Sequence, residues 1–160
     1  MTDTIVAGDH RVGTGDRTLT VIGLGSCVAV ILYDSESQIG GLAHVLLPDP
    51  SFSTAPERRM RFASTAVPDL VQEMERAGAT RDRMRARLVG GASMFQELLG
   101  NDHQNIGERN VMAARTALGE GGIEIIGEDV GGDFGRTVRF DLKKGEVRVK
   151  SSRTDIDVVV

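Results

Sequence analysis

The only cysteine of the 160-residue chain, Cys27, ends a glycine-punctuated stretch, Val21-Ile22-Gly23-Leu24-Gly25-Ser26-Cys27. Free cysteine commonly serves as a small buried hydrophobe, and the apolar Val28-Ala29-Val30 that follows suits that role. The glycines open a second reading. Gly23 and Gly25 permit positive φ or close approach to a ligand, and consecutive N–H groups in such a turn converge as an anion-binding nest beside the thiol. A thiol acting as a nucleophile also needs a base. His44 lies on the next strand of a hairpin, so a Cys–His pair is topologically cheap: an imidazolium lowers the thiol pKa, and the same ring later protonates a leaving group. Taken alone, His44 reads as an ordinary strand-end histidine; beside Cys27 it becomes the candidate acid/base.

The remaining chemistry-bearing residues are sparse. His10 and His103 sit in polar, loop-like surroundings and are expected at the surface. One cysteine makes no internal disulfide, and three scattered histidines offer no metal-ligand spacing, so no metal site is expected. Gly23-Leu24-Gly25 begins like a dinucleotide fingerprint, but Val28 holds the last glycine position and a strand follows instead of a helix. Gly90-Gly91-Ala92-Ser93 lacks the lysine of a phosphate loop, and Ser93 lacks a nucleophile elbow. That stretch reads as a tight strand-exit turn.

The elements that must position Cys27 and His44 follow from periodicity and breakers. Leu19 to Ile22 and Cys27 to Tyr33 read as strands joined by a tight turn; Ile39 to Leu47 is the next strand, ending at Pro48. Phe62, Ala66, Leu70, Met74 and Ala77 recur at helical spacing between Glu57 and Ala77, with Gly78 as the stop and Pro68 as a kink or first turn. Alternating Arg81, Arg83, Arg85 and Arg87 lead into a strand at Leu88-Val89 with one solvated face. Asn105 and Glu108 have the spacing of a capping box, opening a second helix through Val111, Ala114, Ala117 and Leu118. Ile123 to Ile126, Arg136 to Leu142, Glu146 to Lys150 and Ile156 to Val160 read as closing strands. The order implies a layered α/β (α+β) sandwich, with two main helices on a mixed, largely antiparallel sheet, as one domain over residues 1–160.

Composition narrows the partners. A net charge of −4 argues against general nucleic-acid binding, where phosphate neutralisation calls for a basic surface. No apolar run approaches the roughly 20 residues of a membrane span, and MTDTIVAGDH is no signal peptide, so the chain is expected in the cytoplasm without membrane insertion.

GLGSCVAV at Gly23 to Val30, followed by GGLAHVLLPD at Gly40 to Asp49, resembles the CheD family of chemoreceptor glutamine deamidases. The likeness continues through Arg61-Phe62-Ala63-Ser64-Thr65-Ala66, Gly90 to Phe95, Ile106 to Asn110, Asp129 to Gly132 and Gly135-Arg136. The resemblance implies a cytoplasmic cysteine hydrolase that converts glutamine side chains of methyl-accepting chemoreceptors to glutamate, with no cofactor and a fold distantly related to papain-like thiol hydrolases. It places the nucleophile on Cys27 and the acid/base on His44, and the glycine turn itself, at Gly25 and Ser26, reads as the oxyanion loop. The family's third catalytic member, a threonine, falls on Val21; the adjacent Thr20 takes its place only if a bulge turns it inward. Partners implied are the receptors' cytoplasmic domains and a CheC phosphatase; the run Arg58, Arg59 and Arg61 reads either as a solvated helix face or as flanking contacts for acidic receptor helices. Val21 keeps open a binding module with weak or no catalysis, and the same pair would also serve a glutamyl methylester hydrolase.

Overall fold

The computed structural model describes residues 1–93, 105–154 and 157–160. Among them ten strands form two five-stranded sheets. The central sheet runs β2 (His10–Thr14), β5 (Ile39–Val45), β4 (Val28–Asp34), β6 (Met84–Gly90), β7 (Glu124–Val130). The second runs β1 (Thr2–Thr4), β3 (Thr18–Leu24), β8 (Arg136–Asp141), β9 (Glu146–Ser151), β10 (Asp157–Val159). Two helices, α1 (Ala63–Ala77) and α2 (Ile106–Glu120), cover one face of the central sheet.

Every residue of β4 and β5 is buried, because this sheet is covered on both sides. Val28, Val30 and Leu32 pack with Leu70, Met74 and Ala114 on the helix side. Ala29, Ile31 and Tyr33 alternate to the other face and pack with Leu19, Val21, Phe140 and Val149 of the second sheet. The layers are therefore helices, sheet, sheet. The α+β sandwich expected from sequence is present, with its strands divided between two mixed sheets; the parallel pairs are β1 with β3 and β6 with β7.

Several boundaries differ for physical reasons. β3 and β4 do not form a hairpin; the chain changes sheets between them, with a register shift between Val21 and Leu24 and Gly23 at φ 72°. β4 and β5 do form the expected antiparallel hairpin. Helix α1 begins at Ala63, not Glu57, because the Leu46 and Leu47 amides both donate to the Arg61 carbonyl and hold Phe62 extended against the end of β5. Pro68 lies inside the helix, and Gly78 ends it in the left-handed conformation, as its position predicts. The closing strands are not one meander: β7 joins β6 in parallel while β8, β9 and β10 complete the other sheet.

Arg85 is exposed, as the alternation predicts, and pairs with Glu124 at 3.4 Å, whereas Arg87 is half-buried and donates to the Gly145 carbonyl at 3.2 Å. Asn105 caps α2 as its spacing predicts, its side chain accepting from the Glu108 amide at 3.2 Å. His103, Met94, Phe95 and Ile156 lie outside the described residues. No helix among the described residues is long and apolar enough to cross a membrane.

Candidate active site

Cys27 occupies the corner where the chain leaves the second sheet and enters the central one. Three successive carbonyls of that corner are held from behind: Gly25 O accepts from Ala92 N at 2.9 Å, Ser26 O from the Asn110 side chain at 3.0 Å and Cys27 O from Gly91 N at 2.8 Å. A trans peptide points its N–H opposite to its C=O, so gripping Gly25 O and Ser26 O turns the Ser26 and Cys27 N–H groups the other way. Among the described residues neither of these amides donates to a backbone acceptor. The Cys27 amide lies close enough to its own sulfur to favour the thiolate. The turn thus presents the Ser26 N–H, without a backbone acceptor among the described residues, and the Cys27 N–H, directed at its own sulfur, beside a half-exposed thiol, an arrangement that suits an oxyanion.

His44 pairs in register with Ala29 on the neighbouring strand. Ala29 faces the second sheet, and Cys27, two residues earlier, packs on the same inter-sheet cluster, so thiol and imidazole share one face at one end of the hairpin. The ring is buried, and its Nδ1 lies 3.0 Å from the Ile5 carbonyl. A carbonyl oxygen only accepts, so Nδ1 carries the proton and Nε2 keeps the lone pair a base needs. The main chain of His44 is held by the same segment: its N–H donates to Asp9 O at 3.0 Å and its carbonyl accepts from Gly8 N at 2.8 Å. Residues 5–9 form a strap around the histidine, tied in turn to the second sheet by Ile5 N donating to Thr20 O at 2.8 Å.

Neither Thr20 nor Val21 reaches the ring of His44 by a hydrogen bond among the described residues. Thr20 points away from the inter-sheet face that Leu19 and Val21 occupy; its hydroxyl is buried and has no partner among the described residues. It does not contact His44 by hydrogen bond. Val21 is fully buried in the inter-sheet core. The orienting contact comes from a main-chain oxygen, which no motif encodes. His10, expected at the surface, is half-buried at the start of β2, with Nε2 against the Glu73 carboxylate.

The resting pair is not charged in advance. Burial pushes the Cys27 thiol above its ordinary 9.0, opposed by its own backbone N–H. Burial also holds His44 below its ordinary 6.5, opposed by the Ile5 carbonyl. Both shifts favour the neutral forms, and among the described residues no hydrogen bond joins the two side chains. Alkylation of Cys27 by iodoacetamide should therefore accelerate as pH rises through and above 9.0, because only the thiolate reacts and its formation is displaced upward. A rate that has already levelled off at neutral pH would contradict this.

The surroundings brace the turn more than they line it. Gly90 has φ 113°, and a β-carbon there would lie well inside contact with the Cys27 carbonyl oxygen. A β-carbon on Gly107, in the first turn of α2, would strike the Gly91 and Ala92 carbonyls, so the helix start seats directly on the strand that grips Cys27. The sequence reading placed Asn110 in a motif without giving it a task. It is fully buried on the face of α2 shared with Val111, Ala114 and Ala117, a polar interruption of an apolar stripe. Of the flanking arginines, Arg59 is engaged by Asp69 at 2.7 and 2.9 Å, while the Arg61 side chain lies beside Gly8 of the strap. Arg109 stacks over the Phe52 ring at 5.5 Å.

Comparison with known proteins points in one direction. The family model for CheD chemotactic sensory transduction matches residues 46–151, a span that begins just after His44. A curated protein of Geobacter metallireducens, "Probable chemoreceptor glutamine deamidase CheD 2", is 43% identical over 149 residues, covering 92% of each chain. Proteins named "Probable chemoreceptor glutamine deamidase CheD" from Archaeoglobus fulgidus and Caldanaerobacter subterraneus are 45% and 41% identical over 91% and 89% of this chain and 90% and 88% of theirs. The solved structure of the Bacillus licheniformis hypothetical protein YfiH aligns over 81% of this chain and 59% of that one, with a TM-score of 0.43 at 15% identity, too remote to bear on function.

Proposed function

Since the chain belongs to the CheD family, we propose that it is a cysteine-dependent glutamine deamidase acting on the cytoplasmic domains of chemoreceptors in chemotactic adaptation. The observation that carries the cysteine mechanism is the fixed tautomer of His44: with Nδ1 donating to Ile5 O, Nε2 is the proton acceptor on the face it shares with Cys27. Nε2 takes the thiol proton as sulfur bonds to the side-chain amide carbon of glutamine, and the carbonyl π pair moves onto oxygen. The Ser26 and Cys27 N–H groups receive that oxyanion. When the intermediate collapses, the C–N bond breaks and the imidazolium returns the proton to nitrogen, so ammonia leaves and a thioester remains. The neutral ring then takes a proton from water as it attacks the thioester. Collapse expels the sulfur, which recovers its proton from the ring, leaving glutamate and free Cys27.

Gly25 belongs to this site through its carbonyl, whose capture by Ala92 N turns the Ser26 N–H outward. Val21 in place of a threonine is compatible with catalysis in this scheme, because Ile5 O already fixes the imidazole. The receptor substrate implies a cytoplasmic protein, and the family resemblance makes a CheC phosphatase the second partner. Incubation of the full chain with a receptor cytoplasmic fragment should convert selected glutamines to glutamates, followed by peptide mass spectrometry. Binding of the fragment with every glutamine left intact would defeat the enzymatic reading in favour of a docking module.

A further inference from the structure

We infer that Asn110 is a positioning residue for the oxyanion site, holding the Cys27 N–H at the angle the transition state needs. Its side-chain nitrogen donates to two carbonyls at once, Ser26 O at 3.0 Å and Leu46 O at 2.9 Å. Ser26 C=O and Cys27 N–H belong to one rigid planar peptide, so fixing the oxygen fixes the direction of the hydrogen at the opposite end. Leu46 lies two residues beyond His44, so one amide group ties the nucleophile's turn to the end of the base's strand. The Gly25 and Cys27 carbonyls are held by backbone amides, which leaves Asn110 as the side chain that grips this turn.

Two further facts favour this role over generic packing. Asn110 is fully buried, yet its Oδ1 has no hydrogen-bond partner among the described residues, a desolvation cost that packing alone does not call for. Its amide orientation is also determined: the reverse orientation would set Oδ1 against two carbonyl oxygens. A side chain that retains an orphan acceptor in the core while its donors bind the turn of Cys27 and the end of the strand of His44 is explained by what the donors do.

The inference rests on the deamidase reading, and its test separates the two. Asn110→Ala and Asn110→Ser are compared with wild type in the full chain, with the folded fraction measured by circular dichroism. Per folded molecule, kcat should fall about 100-fold, the cost of losing one aligned oxyanion donor, with KM within about threefold of wild type. Alkylation of Cys27 by iodoacetamide, compared at a pH high enough for its rate to have levelled off, needs no oxyanion donor and should stay within about threefold. The proposal is overturned by a kcat within about threefold of wild type in a folded variant, by loss of alkylation in parallel with kcat, or by failure of both variants to fold. Absence of turnover by wild type, or turnover that persists in Cys27→Ala, would instead strike the deamidase reading itself.

Discussion

Cys27→Ala should reduce deamidation by about ten-thousand-fold or more, to the level of uncatalysed hydrolysis plus whatever binding alone supplies. No other thiol exists in the chain to replace it. His44→Ala should cost about a thousand-fold, because the thiol is held protonated by burial and needs a base before it can attack. The two residues act as one unit, so the double variant should be no slower than Cys27→Ala alone. Steady-state rates from the mass-spectrometric assay decide this; a Cys27→Ala protein that retains more than about a tenth of the wild-type rate would rule out covalent catalysis by sulfur. In pH profiles the base must be neutral, and burial keeps His44 neutral to lower pH than a free histidine. The acid limb of activity should therefore lie below 6.5. The same shift acts on stability: as pH falls through 6.5 the unfolded chain binds the proton first, so stability is lost between that value and the lowered folded one.

The largest effect on stability is expected at Gly90. Alanine there would have to adopt φ near 113° and place its β-carbon inside contact with the Cys27 carbonyl oxygen, a backbone atom that cannot rotate aside. The conformational strain alone costs about 1–3 kcal/mol. With displacement of the Gly91 N to Cys27 O bond, Gly90→Ala should lose about 3 kcal/mol, or roughly 10 °C in Tm, read by thermal melting. The molecules that remain folded should also turn over slowly, since relief of the clash shifts the peptide that carries the nucleophile. A melting temperature within about 2 °C of wild type would show that the corner yields without cost.

How much of this was legible in the sequence depended on whether side chains or main chain carried the information. That Cys27 and His44 share a face was readable because a hairpin with alternating faces dictates it, and that hairpin is present as expected. The division into two sheets was not, because the pattern that buries Leu19 and Val21 against one layer is the same pattern that buries Ala29 and Ile31 against it from the other side. β1 and β2, Thr-Asp-Thr and His-Arg-Val-Gly-Thr, lack the apolar alternation that marks a strand and are set by their partners β3 and β5. Asn110 did leave a signal, as a polar residue on the apolar stripe of α2. Ile5 left none, since what matters there is an oxygen that every residue possesses.

That last point bears on how such a site drifts over generations. A hydroxyl or carboxamide that orients a catalytic ring is one substitution away from loss, whereas a peptide oxygen is immune to any change of side chain. On the reading proposed here, what must be inherited is the path of residues 5–9 past His44, not the identity of any one of them, and position 21 is released to be chosen for its shape in the core. On that reading, judging such a chain by its match to a three-residue catalytic signature would discard it for lacking a group it has no need of.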